Sequence, residues 1–259
     1  MYLKFWFKTL LYRYCPFRFG YLRSLDKVRE PGYVYSRDKH PVRNKHHKKG
    51  GWKNQKQGNF QYRNYEGYEE YVTHQAQKFN EKLKVKGGFT NREIAAYRYR
   101  FYRRFRHLPA FLPRSGYILC AGARQGTEVE VLHDLGFKNA YGIDLNPGPD
   151  NKFVRVGDFM KLDNPDSSLD MIYCNSIDHA FNLESFFSEH ARVIKPDGYV
   201  LYDVALQEEG AQEQGAFETV QWESDKALIL LMLKYFKRPV KMETEANWRW
   251  ILLQGKGGA

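Results

Sequence analysis

The sequence predicts an α/β domain, a mostly parallel sheet with helices on both faces, carrying a basic and partly helical N-terminal extension. Three observations lead there. From Pro113 onward, short apolar runs bounded by turn residues alternate with segments of helical periodicity. ProAspGly at 196–198 separates an amphipathic stretch from a buried apolar run, as at a junction from helix to strand where glycine takes a positive φ. Charge divides the chain: residues 1–110 hold 26 Lys and Arg against 8 Asp and Glu, whereas residues 111–259 hold 15 against 22. The 259 residues exceed one typical domain and fall short of two, which suits one principal core with an appendage.

In chain order, residues 1–22 form an aromatic and apolar run that Lys4, Lys8, Arg13 and Arg18 interrupt. It is too charged to span a membrane, and no small-residue cleavage site follows it as in a secretory signal. Phe5, Trp6, Phe7, Leu10 and Leu11 among those cations suit either a headgroup boundary or packing on the main domain. Residues 40–59 are basic, glycine-containing and nearly free of aliphatics, which reads as an exposed linker. His46 and His47 inside it lack further ligands at metal-binding spacing.

From Tyr65 to Leu83, an acidic opening precedes Tyr71, Val72, Ala76, Phe79 and Leu83 at three- and four-residue steps, an amphipathic helix that Gly87 and Gly88 end. Thr90 and Glu93 form a capping box for a second helix that stops before Pro109. There Tyr97, Tyr99, Phe101, Tyr102 and Phe105 alternate with Arg98, Arg100, Arg103, Arg104 and Arg106. Such a surface suits a planar or phosphate-bearing partner, or it packs its aromatics on the core under arginine stems. The chain therefore divides into a basic, aromatic and partly disordered extension at 1–64, a helical lid or extension at 65–110, and the α/β domain at 111–259.

Within that domain, strands are expected at 117–120, 140–144, 152–156, 169–174, 199–203, 240–244 and 248–254, with helices near 129–135, 183–194 and 224–236. The stretch between Asp144 and the third strand is too short for a crossover helix, so that layer should be abbreviated. Cys15, Cys120 and Cys174 are too few and scattered for a disulfide framework or a zinc site. A reducing, cytoplasmic setting without a bound metal fits them.

The chemistry-bearing residues stand at the strand ends. In IleLeuCysAlaGlyAlaArgGlnGlyThrGlu at 118–128, an apolar strand runs into Gly122 and Gly126 and then a helix start. Glycine there lets the backbone approach a ligand, and the free N–H groups of the helix terminus favour an anion. The spacing is not the GxGxxG of nicotinamide binders. About twenty residues on, the second strand ends in Asp144, where a carboxylate can accept both hydroxyls of a ribose. ValGlyAspPhe at 156–159 puts Asp158 and Phe159 after the third strand, an acid and an aromatic suited to the exocyclic amine and face of adenine. The fourth strand ends at Asn175.

These four strand ends resemble the class I, Rossmann-like S-adenosylmethionine-dependent methyltransferases, in particular the branch with GlyAspPhe after the third strand and LysProAspGly before the fifth. The resemblance covers about residues 114–254 and implies a seven-stranded sheet with S-adenosylmethionine as cofactor. Position by position, it implies that Gly122, Ala123 and Gly126 line the methionine part, Asp144 the ribose, and Leu145, Asp158 and Phe159 the adenine. Asn175 would form the fourth-strand lip. Two departures stand out. Cys120 occupies the place of the acid that usually ends the first strand, which removes a common anchor for the methionine ammonium. Arg124 replaces the middle glycine, and either pairs with the methionine carboxylate or faces solvent.

Methyl transfer from a sulfonium requires mainly alignment and exclusion of water, and a hydroxyl acceptor benefits from a general base. Asp178 and His179, just beyond the fourth strand in the family's substrate-facing loop, suit that task if the carboxylate orients the imidazole. Alternatively Asp178 or Asn175 caps the next helix and His179 fills a loop. Tyr173, Glu208 and Glu209 are further acceptor-side candidates, and His74 and Gln75 could fold over the cofactor from the upstream helix.

The reaction expected is O-methylation of a sugar, a glycan intermediate or another small hydroxyl-bearing acceptor. The basic N-terminal region would hold a phosphorylated, nucleotide-linked or otherwise anionic acceptor, with peripheral membrane contact through residues 1–22. Methylation of RNA or another nucleic acid is the alternative. The AsnProProTyr-type signature of amino-directed nucleic-acid enzymes is absent, since the chain reads CysAsnSerIleAsp at 174–178. A non-catalytic cofactor-binding scaffold is the third reading, against which Asp144, Asp158 and both glycines stand.

Overall fold

The computed structural model describes residues 54–86, 91–148, 151–205, 215–245 and 248–257. The segment 1–22, most of the basic linker, the Thr90 cap, and Glu208 and Glu209 lie outside the described residues. Among those described, no helix is long and apolar enough to cross a membrane.

The elements follow in the order β1 (Asn54–Gln57), β2 (Phe60–Arg63), α1 (Tyr68–Lys86), α2 (Asn91–Phe105), β3 (Ile118–Ala121), α3 (Thr127–Asp134), β4 (Ala140–Asp144) and β5 (Val154–Val156). Then come β6 (Leu169–Cys174), α4 (Leu183–Val193), β7 (Ile194–Ala205), β8 (Val220–Trp222), α5 (Asp225–Met232), β9 (Pro239–Glu245) and β10 (Trp248–Gln254). Seven strands form one sheet in the order β5-β4-β3-β6-β7-β10-β9. The five from β5 to β7 are parallel, and β10 and β9 close the far edge antiparallel. The expected Rossmann-like sheet is thus present, and no helix separates Asp144 from β5 among the described residues.

Successive strand side chains point to opposite faces, and the core divides accordingly. Leu119 and Ala121 of β3, Ile172 and Cys174 of β6, and Ile251 and Leu253 of β10 pack with Phe186 and Phe187 of α4 and Leu228 and Leu231 of α5. Their neighbours Ile118, Cys120, Met171, Tyr173, Trp250 and Leu252 pack on the other face with Leu132 of α3 and Phe101 and Phe105 of α2. Both faces being covered is why these strands read as continuous apolar runs. Side-chain oxygens start two of the helices: Asn182 accepts from the Ser185 amide ahead of α4, and Ser224 from the Ala227 amide ahead of α5. Neither Asn175 nor Asp178 serves as that cap.

Helix α2 belongs to this core, and its arginines hold it there. The Arg98 guanidinium pairs with Glu130 and Asp134 at α3. Arg104 lies within 3.2 Å of Asp203 on β7 and 2.6 Å of Glu245 on β9, with the Tyr173 hydroxyl also on Asp203. Charges so deeply placed need partners, because an unpaired buried ion costs several kcal/mol, roughly 3 to 5 when one partner is removed.

Two expectations require correction. Residues 54–59 are not linker: β1 and β2 form a hairpin turning at Gly58 (φ +59), and β2 pairs with β8, Phe60 opposite Trp222 and Tyr62 opposite Val220. Phe60 and Tyr62 pack against the main core, which compensates for the scarcity of aliphatics nearby. ProAspGly at 196–198 is no separate turn, since β7 follows α4 directly and accommodates the residues as a register shift opposite Leu169 and Met171. Gly198 lacks a positive φ; a Cβ there would stand 2.9 Å from the Asp170 carbonyl oxygen, so it serves close approach instead.

Candidate cofactor and acceptor site

The loop after β3 is shaped by three left-handed residues, Gly122 (φ +73), Arg124 (φ +47) and Gly126 (φ +82). Gly126 has no alternative, because a Cβ would meet the Phe153 Cβ at 2.8 Å and the Val154 Cγ2 at 2.9 Å. Arg124 adopts the same region with a side chain, at a cost of roughly 1 to 2 kcal/mol. What holds it is Asp144 at the tip of β4. Its carboxylate accepts from the Arg124 amide and from the Asn146 amide, each at 2.9 Å. The Gly122 and Ala123 amides donate to the Ile143 carbonyl, also at 2.9 Å. The loop is therefore fastened to the next strand before any ligand arrives.

Two adjoining clefts open above these strand tips, with about 500 and 860 Å³ of free space. The first is lined by Gly122, Arg124, Asp144, Leu145, Asn146, Phe159 and Ser176, and roofed by Tyr71, Gln75 and Lys78 of α1. The Phe159 ring is held edge-on to Phe186, with centroids 5.2 Å apart. The second shares Gly122, Arg124, Lys78 and His179, and adds Ala123, Gln125, Glu128, Asn175 and Asp178 below a wall of Tyr97, Arg100, Phe101 and Trp248. Arg100 lies 4.4 Å from the Trp248 ring and 4.9 Å from that of Tyr97, a cation–π arrangement that positions its guanidinium.

His179 stands where the clefts meet, in a short 3-10 turn after β6. Its Nδ1 is 2.7 Å from the Phe217 carbonyl oxygen. A carbonyl only accepts, so Nδ1 carries the proton and Nε2 presents a lone pair. The Lys78 ammonium donates to that nitrogen at 2.6 Å. Burial, and then the Lys78 charge, push the imidazole down to about 3, so it is neutral throughout the physiological range. Burial likewise brings Lys78 down to about 8, helped by Arg124 and opposed by Asp178. The Asp178 carboxyl is raised by its own burial.

The expected pairing of the imidazole with Asp178 takes a different form. The carboxylate lies 3.8 Å from Nε2, beyond hydrogen-bond reach, and a main-chain carbonyl performs the orientation. Sequence gives no sign of this, because Phe217 is distant along the chain. The 215–219 segment is itself held by contacts with α1, β2 and the 3-10 turn. Gln75 donates to the Phe217 carbonyl at 2.8 Å, the His74 ring stacks on Phe217, Arg63 donates to the Glu218 carbonyl, and the Thr219 amide donates to the Asp178 carbonyl. Tyr71 donates to the His179 carbonyl at 3.0 Å, so α1 is anchored on the loop it covers.

The other expected residues sort as follows. Gly122, Ala123, Arg124, Asp144, Leu145, Phe159 and Asn175 line the clefts. Gly126 shapes the loop from behind. Asp158 turns away into its own bend, accepting from the Met160 amide and from the Tyr68 hydroxyl of α1. Tyr173 points into the core toward Asp203 and lines neither cleft, which removes it from the acceptor side. Of the α1 pair, Gln75 reaches the first cleft, whereas His74 accompanies Phe217 and Tyr65. Lys78, Tyr71, Glu128 and Trp248 are site residues that sequence reasoning did not single out, and Arg100 was expected only as one of several cations on α2. For α1 the signal existed, since Tyr71, Gln75 and Lys78 share one helical face at steps of four and three.

Residues 119–202 match the model of a methyltransferase domain family. The matched segment is a methyltransferase domain, and the seven-stranded sheet that contains it has the fold of the class I, S-adenosylmethionine-dependent enzymes. Among solved structures it is similar to the 1,6-didemethyltoxoflavin N1-methyltransferase of Burkholderia thailandensis, crystallised with S-adenosylhomocysteine, at TM-score 0.59 and 14% identity over 79% of this chain and 99% of that one. It is also similar to the geranyl diphosphate C-methyltransferase of Streptomyces coelicolor A3(2), with TM-score 0.53, 12% identity, and coverage of 72% and 97%. A possible histamine N-methyltransferase of Thermotoga maritima gives TM-score 0.52 at 17% identity, with coverage of 71% and 100%. Comparison with curated proteins returns no match. At these identities the solved structures share the fold, and their varied acceptors belong to them.

The methyltransferase cofactor fits the first cleft on the donor set alone. Asp144 stands at a strand tip beside Leu145 and the Phe159 ring, and Gly122, where a Cβ would stand 3.1 Å from the Ser176 Cβ, lets the loop approach Ser176 closely. The second cleft continues from the loop toward the aromatic wall.

Proposed function

We propose that this methyltransferase acts on the hydroxyl of a small acceptor, a sugar, a glycan intermediate or a comparable compound, bound in the cleft walled by Tyr97, Arg100 and Trp248. The observation that carries the reading is the Lys78–His179 pair at the junction of the two clefts. S-adenosylmethionine, when bound, supplies an electrophilic methyl group. Asp144, Leu145 and Phe159 would position it, and α1 would exclude water above it. The neutral member of the pair would take the hydroxyl proton as the acceptor oxygen is methylated, so that no charge is left on that oxygen. Displacement of the ammonium from Nε2 by the acceptor hydroxyl would make the imidazole the acceptor of that proton.

Arg100 gives the cleft a cation suited to a phosphorylated or otherwise anionic acceptor, and the aromatic wall suits a ring stacked against it. The disposition of the α2 arginines favours a small acceptor over RNA. Arg98 and Arg104 are buried in ion pairs, and Arg103 pairs with Glu245 at 2.9 Å, so they present little charge to a phosphate backbone. The test is His179→Asn assayed against phenolic, sugar and RNA acceptors alongside calorimetry. Retained S-adenosylmethionine affinity with turnover on a small hydroxyl compound lowered about a hundred-fold is expected from loss of a general base. Unaltered turnover, or transfer to RNA alone, would defeat the proposal.

A further inference from the structure

We propose that Glu128 replaces the acid missing from the end of β3 and binds the ammonium group at the methionine end of the cofactor. The inference rests on the cofactor site assigned above. Cys120 is buried at the strand end, so β3 brings no carboxylate beside the glycine loop. Glu128 is the second residue of α3, immediately past Gly126, and it lines the second cleft together with Gly122, Ala123 and Asn175.

Its placement is unusual for a residue at a helix N-terminus. An acid in the first turn normally stays in water, where the helix dipole and solvent both favour its charge. Glu128 is only 5% exposed. The next acids along α3 are satisfied by Arg98, which pairs with Glu130 and Asp134. Glu128 forms no ion pair with a described side chain, so its carboxyl is set inward toward the cleft without a counter-ion. Its own backbone amide is the one hydrogen-bond partner of the carboxyl among the described residues, and an arrangement that costs desolvation and forms no ion pair is one a ligand can complete.

Its electrostatic neighbourhood agrees with the position of the missing acid. Burial pushes the Glu128 carboxyl up to about 8, and its charge in turn helps to raise the Cys120 thiol and the Tyr173 hydroxyl. The carboxyl lines the same cleft as Gly122 and Ala123 after β3 and Asn175 after β6. Arg100 and Arg124 line the same cleft. The cleft holds two carboxylates, and Asp178 already has the Lys78 ammonium as a neighbouring cation, which leaves Glu128 for a ligand's charge. A carboxylate facing two guanidiniums matches the zwitterionic head of an α-amino acid, with the ammonium toward Glu128 and the carboxylate toward an arginine. Docking of the ammonium would ionise Glu128 and release its proton.

The test compares two ligands on the full chain by calorimetry: S-adenosylhomocysteine, which has the amino-acid head, and 5′-methylthioadenosine, which lacks it. Glu128→Gln should weaken S-adenosylhomocysteine by about ten-fold or more and leave methylthioadenosine within about two-fold, as expected for loss of one charge-assisted contact. Wild-type binding of S-adenosylhomocysteine near neutral pH should release a proton, read from buffers of differing ionisation enthalpy, and the variant should not. Placing the acid at its usual position, Cys120→Asp in the Glu128→Gln background, should recover S-adenosylhomocysteine affinity. Equal weakening of both ligands would reveal a purely structural role and overturn the proposal, as would unchanged S-adenosylhomocysteine affinity. Failure of both ligands to bind the wild-type chain would instead overturn the cofactor site on which it rests.

Discussion

The strand-tip side of the site and the helical side facing it satisfy their polar groups over very different lengths of chain. At the strand tips, Asp144 accepts from amides 20 and 2 residues away. On the helical side, Tyr71 reaches the His179 carbonyl across 108 residues, Gln75 the Phe217 carbonyl across 142, and Arg63 the Glu218 carbonyl across 155. The first kind of site is preformed wherever its two strands pair. The second exists only while distant segments are docked, and local opening draws on such low-stability contacts. On the proposed function, cofactor recognition would belong to the rigid side and coverage of the reaction to the side that can open.

The comparison can be broken or sharpened by experiment. The largest effect should come from Arg104→Met, which leaves Asp203 buried without its partner beneath α2. A loss of about 3 to 5 kcal/mol in denaturant unfolding is expected, and a loss below about 1 kcal/mol would mean that α2 is not part of the rigid side. Next is Asp144→Ala, expected to weaken S-adenosylmethionine by about a hundred-fold, since contacts to a charged acceptor are worth about 1.5 to 3 kcal/mol. Unchanged affinity in calorimetry would remove Asp144 from the cofactor site.

Lys78→Met probes the junction of the two sides. With Lys78 brought down to about 8, the base pair becomes fully neutral only as pH rises through that value, so turnover should climb up to about pH 8. Removing the lysine charge should move this rising limb to lower pH, toward the ordinary histidine range, because that charge helps to depress His179. A limb that stays in place would exclude the pair from the chemistry. Smallest should be Tyr71→Phe, about 1 kcal/mol for one hydrogen bond. Amides of α1 should exchange about five-fold faster while those of β3 and β4 do not change. Equal acceleration in both would show that the two sides open together.

Glu128 also links pH to stability. Its folded-state value of about 8 lies above the ordinary 4.5, so the native chain holds a proton that the unfolded chain releases. The associated stability is complete below about pH 4.5 and is lost as pH rises through about 8. Denaturant titrations of Glu128→Gln across that window should show a flatter decline than the wild type, and parallel curves would contradict it.

What was legible in the sequence follows the same division. The glycine loop, Asp144, Phe159 and Asn175 sit at or just after the ends of the strands β3, β4, β5 and β6, whose apolar runs mark them in the sequence, and all four line the two clefts. Lys78, Arg100 and Trp248 reach the site by tertiary docking, and no local period distinguishes a helix face that meets a ligand from one that meets a core. The arginines of α2 show the ambiguity: Arg98 and Arg104 bind internal acids, while Arg100, between them, faces the cleft. The hairpin of β1 and β2 was unreadable for a related reason. Its strands are short and polar, and its third strand lies at 220–222.

That last pairing has a consequence for synthesis. As the chain leaves the ribosome, Phe60 and Tyr62 have only β1 to pair with until Val220 and Trp222 have emerged. By then β3, β4, β5, β6 and β7 are all available to pair with one another. Contacts so far apart in sequence form late, after the loop-closure entropy has been met by other interactions. The glycine loop can therefore be in place before its cover, and the enzyme would complete its active site from the floor upward.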